Sequence, residues 1–223
     1  PEPATITHAR FGMQTQEQEV EAFKKWWSEN GKVIVIGVVA GLSAIIGWNF
    51  WQTHQQRQAD VASSLYEEVV NAHNGQRFDE ALNSAKAIQE QFPDSGYAAL
   101  GALVGAGSAY AASSPAQARG QLQWAIENAD VTEIKDVARL RLARILSAEG
   151  ELEPALRNLD DIQADSFSAV IDELKGDIAL AGKEREKGVE AYQRALGSDS
   201  LNPGSRRRID LKLSDLGVRP AAR

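Results

Sequence analysis

Cysteine is absent from this chain. There is therefore no disulfide framework, no thiolate metal site and no cysteine nucleophile. Histidine is scarce: His8, His54 and His73 are scattered, without the short spacings that put two imidazoles on one metal. Positive charge is in deficit, with 24 Lys+Arg against 31 Asp+Glu and a net charge of −7. That is the opposite of the dense basic surface that nonspecific nucleic-acid binding needs. No G-x-S-x-G elbow, P-loop or strand-bound G-x-G-x-x-G occurs. Gly101, Gly105 and Gly107 sit in an Ala-rich helical pattern, where they serve close packing better than phosphate binding. The neighbouring carboxylates Glu67-Glu68 and Asp160-Asp161 diverge on helix surfaces and cannot act as acid and base together. No catalytic residue, cofactor site or metal site is assigned, and the chain is not read as an enzyme.

Apolar residues make up 43% of the sequence but are unevenly spread. Val33 to Trp51 (VIVIGVVAGLSAIIGWNFW) is a run of 19 residues without a charge. As a helix it spans about 28 Å, close to the hydrocarbon thickness of a bilayer. Trp26 and Trp27 precede it and Trp48 and Trp51 end it, a pattern of two interfacial aromatic belts. A buried soluble helix is rarely this long and apolar. A cleaved signal peptide would end in small residues, where this run ends in bulky Trp and Phe. The reading is a retained membrane anchor. Lys24, Lys25 and Lys32 lie before it, and only Arg57 follows within the next twenty residues. The basic side stays in the cytoplasm, so the C-terminal bulk is expected outside it, in the periplasm of a bacterium. Gly37 and Gly41 share one face of the span and could admit a partner helix, or simply reflect the abundance of Gly in membrane helices.

Ahead of the only methionine, Met13, residues 1–12 (PEPATITHARFG) carry two prolines and no helical period, so they are set aside from fold reasoning. A disordered tail is expected over 1–19. Val20, Phe23 and Trp27 then share a face, which predicts a cytoplasmic juxtamembrane helix over 20–32 leading to the membrane helix at 33–51.

Residues 52–223 are rich in Ala, Leu, Gln and Glu, and no window alternates as a strand does. Turn signals recur at Asn74-Gly75, Pro93-Asp94-Ser95-Gly96, Ser113-Ser114-Pro115, Glu149-Gly150, Gly182 and Gly197. The expected fold is all-α, a series of helical hairpins. Small residues recur at Ala81, Ala118, Ala155 and Gly188, spaced 37, 37 and 33. Seven residues later come Ile88, Ala125, Ile162 and Ala195; twelve earlier come Val69, Ala106, Ala143 and Gly176. Antiparallel helices cross closely only where facing side chains are small. The pattern resembles tetratricopeptide repeats, best in the fourth unit with Gly176, Gly188, Tyr192 and Ala195; the plain alternative is a generic Ala-rich bundle. Asn202-Pro203 opens a last helix with Ile209, Leu213 and Leu216 on one face, a cap for the solenoid. Arg206-Arg207-Arg208 on it reads as a solvated surface or an anion contact.

In such a solenoid the first helices line a concave groove, here through Tyr66, Val70, His73, Tyr110, Arg144 and Asp177. Some tetratricopeptide domains clamp a peptide carboxylate with Lys and Asn at such positions; Tyr66 and Val70 stand there instead. The tyrosines either anchor a partner or pack between helices.

The block Phe23-Lys24-Lys25-Trp26-Trp27-Ser28-Glu29-Asn30-Gly31-Lys32, with Gly47-Trp48-Asn49-Phe50-Trp51 after the span, looks like the YfgM family. The likeness extends from about Val20 to Leu216. It implies an inner-membrane protein with a periplasmic repeat domain, associated with the SecYEG translocon and the membrane-anchored chaperone PpiD. It further implies help for secreted proteins as they emerge, and a link to envelope-stress signalling. Repeats specify a surface and not a partner, so an assembly factor for another envelope complex is the alternative.

Overall fold

A computed structural model describes residues 9–218, with side chains from Glu19 onward. Among the described residues there are nine α-helices, one 3-10 turn and no strand, as the composition predicts. Contacts divide the chain into two units after Arg57.

The first unit belongs to α1 (Ala9–Asn74), whose residues after Arg57 open the second unit. Helix begins at Ala9, so the tail expected over 1–19 is helical over its described part, and residues 1–8 lie outside the described residues. No break in the helix marks the expected boundaries at 19/20, 32/33 or 51/52. Among the described residues one helix is long and apolar enough to cross a membrane, and none of its apolar stretch is covered. Val33, Ile36 and Ile46 are all exposed, as lipid-facing side chains would be. Trp48 and Trp51 pair at 5.2 Å at one end of the run, and Phe23 lies 6.1 and 6.2 Å from Trp26 and Trp27 at the other. A β-carbon added at Gly37 or Gly41 would meet nothing within 4 Å, so that face is open in the isolated chain.

The second unit pairs the end of α1 with α2 (Phe78–Gln91), α3 (Gly96–Ala111) with α4 (Pro115–Asn128), α5 (Thr132–Ala148) with α6 (Leu152–Asp160), and α7 (Ser168–Ala181) with α8 (Arg185–Gly197). Each hairpin turns the same way. Gln76, Ser113, Gly150 and Lys183 all have positive φ, of 57°, 58°, 83° and 63°. Their amides bond to His73, Tyr110, Ser147 and Leu180, and the next amide reaches back to Ala72, Ala109, Leu146 and Ala179. This doubly bonded end satisfies carbonyls that a helix otherwise leaves orphaned. The four turns reproduce the 37, 37 and 33 spacing, so the units share one register through the backbone as well as the side chains.

The crossing points are where the small residues are. Ala81, Ala118 and Ala155 are fully buried, with Val69, Ala106 and Ala143 opposite them. In the fourth hairpin the crossing is tighter: a β-carbon at Gly188 would lie 2.9 Å from Leu180 Cδ2, and one at Gly176 only 2.5 Å from the Tyr192 ring. The third hairpin departs from expectation. Its second helix stops at Asp160, so Ile162 falls in the loop beyond and is only half-buried. Buried Asp136 supports that loop, its Oδ2 accepting the amides of Gln163 at 3.2 Å and Ala164 at 3.1 Å.

α9 (Pro203–Asp215) closes the series. Asn202 accepts from the Ser205 amide at 2.9 Å, Pro203 occupies the first turn, and Ile209 and Leu213 are buried against Tyr192 and Ala195. The Asn-Pro start and the apolar face are as the sequence predicts.

Candidate interaction surface

The residues expected along the groove separate into two kinds. Tyr66 is half-buried, its ring 5.8 Å from Tyr97, and it packs on the first core cluster. Val70 is half-buried beside it. His73 Nδ1 lies 2.8 Å from Ser108 Oγ, and the Ser108 hydroxyl donates to the Val104 carbonyl. Tyr66 and His73 are thus tied into the packing of α1 and α3.

Asp177 is also engaged. It accepts Lys212 Nζ at 2.6 and 2.8 Å and the Tyr192 hydroxyl at 2.6 Å. Beside it, buried Glu173 takes a two-pronged contact from Arg208, 2.6 Å on each oxygen, and a third bond from Lys212 at 2.9 Å. Burial alone would raise the Glu173 carboxyl; the bonds from Arg208 and Lys212 outweigh it and hold the group below its ordinary range. Burial and the bond to Asp177 push the Tyr192 hydroxyl up. Arg208 is therefore half of an internal ion pair with a carboxylate 35 residues earlier. Neither the arginine triplet nor the helical pattern around Glu173 signals this pairing, because each reads locally as a solvated face.

Tyr110 and Arg144 are different. Tyr110 is 54% exposed. It stands at a depression of 340 Å³ between α3 and α5, walled by Ala106, Gly107 and Ile145 and rimmed by Arg141 and Arg144. Arg144 also borders a second depression, with Glu173, Asp177, Arg208 and Lys212. Arg141 is a residue the sequence does not single out; it anchors on the α3 backbone, donating to the Leu103 carbonyl at 3.0 Å. Burial and the neighbouring Arg144 charge both pull its guanidinium down from its ordinary value. By the repeat spacing, Gly107 is the counterpart of Val70, Arg144 and Asp177. The unit without a side chain at that position has an apolar hollow there. Among the described residues, no three His, Cys, Asp or Glu side chains converge as a metal site would require.

Four stacked hairpins of one register, a closing helix and a helix with an apolar stretch able to cross a membrane define a tetratricopeptide-type repeat protein. A family model for a tetratricopeptide repeat-like domain matches residues 24–218. Relatives named "Ancillary SecYEG translocon subunit" cover most of the chain. The one from Aggregatibacter actinomycetemcomitans is 32% identical over 81% of this chain and 88% of its own. Those from Haemophilus influenzae and Escherichia coli are 29% and 28% identical, over 83% and 92% of this chain and 90% and 98% of theirs. The chain belongs to this family, YfgM, as the tryptophan-flanked span and its Glu-Asn-Gly-Lys approach predict.

Proposed function

We propose that this chain is an ancillary subunit of the Sec translocon, an adaptor anchored in the bacterial inner membrane by residues 33–51. The single observation that carries the reading is that relatives bearing that name match over nearly their whole length, span and repeats together. The N-terminus faces the cytoplasm and residues 52–223 face the periplasm, because the lysines lie ahead of the span. There the repeat domain binds protein partners. The resemblance names the chaperone PpiD and emerging secreted chains as candidates. Tyr110 and Arg144 form the open part of the groove; Tyr66, Val70, His73 and Asp177 build its walls. The Gly37/Gly41 face is the site offered to a membrane helix.

The test is crosslinking in intact membranes followed by purification. Translocon subunits should be recovered with the wild-type chain. A folded, inserted protein that brings down none of them, or brings down a different envelope complex, assigns the scaffold to another assembly.

A further inference from the structure

The hollow beside Tyr110 carries a local excess of positive charge. Around the neighbouring depression, Glu173 and Asp177 are matched by Arg208 and Lys212. Arg141 and Arg144 have no such match. Among the described residues neither guanidinium forms an ion pair, and the protein bond of Arg141 is to a neutral carbonyl. Two uncompensated cations thus face one apolar hollow in a chain whose net charge is −7. A local excess against the sign of the whole molecule selects a partner of opposite charge.

We propose that this depression binds an extended segment of another polypeptide in which a large apolar side chain, Phe or Leu, stands beside Asp or Glu. The apolar side chain enters the space left open at Gly107 and rests on Ala106 and Ile145, with Tyr110 as a further wall. The adjacent carboxylate pairs with Arg141 and Arg144. The volume, 340 Å³, is near the lower end of ligand-sized pockets, about 300–1,000 Å³. It therefore suits one or two side chains and not a folded ligand. Arg144 borders both depressions, so a chain can run on past the hollow and need not end there. This rests on reading the repeat domain as a partner-binding surface, and it names the chemistry that surface selects.

Gly107 supplies a test that leaves the charges alone. A β-carbon there meets only His73 Cε1 at 3.7 Å, an ordinary contact, so position 107 has room for a side chain and Gly107→Leu is designed to fill the hollow. The probe is a fluorescein-labelled, C-terminally amidated peptide with an Asp-Phe-Asp-Leu core in a Gly/Ser background. Its binding to the full chain in lipid nanodiscs is followed by anisotropy. Replacing both Asp by Asn should weaken binding about tenfold, as should Arg144→Glu, with Arg141→Gln as a second charge variant. Gly107→Leu should abolish binding while the helical signal and melting temperature hold. Equal binding of the Asn peptide, or full binding by Gly107→Leu, overturns the proposal. So does concentration-dependent self-association lost in Arg144→Glu, which would make the occupant a second copy of this chain. Recovery of translocon subunits without probe binding defeats this inference alone; probe binding without their recovery defeats the functional reading alone.

Discussion

At Gly107 a β-carbon has room; at Gly176 it would sit inside the Tyr192 ring contact. Gly107→Ala should therefore raise stability by up to about 1 kcal/mol, the helix propensity gained. Gly176→Ala should lower it by about 1–3 kcal/mol through overpacking, both read from denaturant unfolding of the second unit. The left-handed turn residues make a second pair. Gly150 at φ 83° carries no β-carbon, so Gly150→Ala should cost about 1 kcal/mol. Lys183 at φ 63° already carries that strain, and Lys183→Gly should be neutral or stabilising in the same unfolding measurement. Small residues at crossings were legible from spacing alone, because steric closeness leaves a repeating mark on a sequence. The turns were legible only in part: Gly150 stands out, whereas nothing local distinguishes Gln76, Ser113 or Lys183 as left-handed.

α9 is held by a small apolar face and by charge, and charge can be titrated. Glu173 is depressed in the folded state below its ordinary value of 4.5. A depressed carboxyl stabilises the fold above that value, and the contribution is lost as pH falls through the folded pKa. Docking of α9 should therefore weaken in acid below about pH 4.5 and be indifferent to pH from 6 to 8. Glu173→Gln should cost about 2 kcal/mol at neutral pH, with the difference from wild type shrinking in acid, measured by thermal melts across pH. Hydrogen exchange should locate the loosening in residues 203–215. The helix itself was legible from Asn202-Pro203 and the Ile209, Leu213, Leu216 face. Its ion pairs were not, since Glu173 and Arg208 meet only after the chain has folded. The short α6 was hidden for the same reason: Asp136, which bonds the loop amides after it, lies 27 residues upstream of Gln163.

For the whole molecule, the basic residues ahead of the span set a testable sidedness. Protease added to intact spheroplasts should digest residues 52–223 and spare the segment before the span; a protected C-terminal part would reverse the topology. The long apolar helix was legible because its uncharged residues form one continuous stretch of the sequence. The hollow at Gly107 was not, because it arises from a side chain missing at one register position of a stacked series. The ordering of the hairpins has one more consequence. Each helix packs chiefly on the next in sequence, α2 on α3 through to α8 on α9, and every hairpin closes on its own turn. Native partners are thus available a few tens of residues after each helix is made, which favours rapid, stepwise folding. A polypeptide delivered from its N-terminal side can ratchet into shape unit by unit, and exposes the raw end of its last completed pair until α9 arrives to cover it.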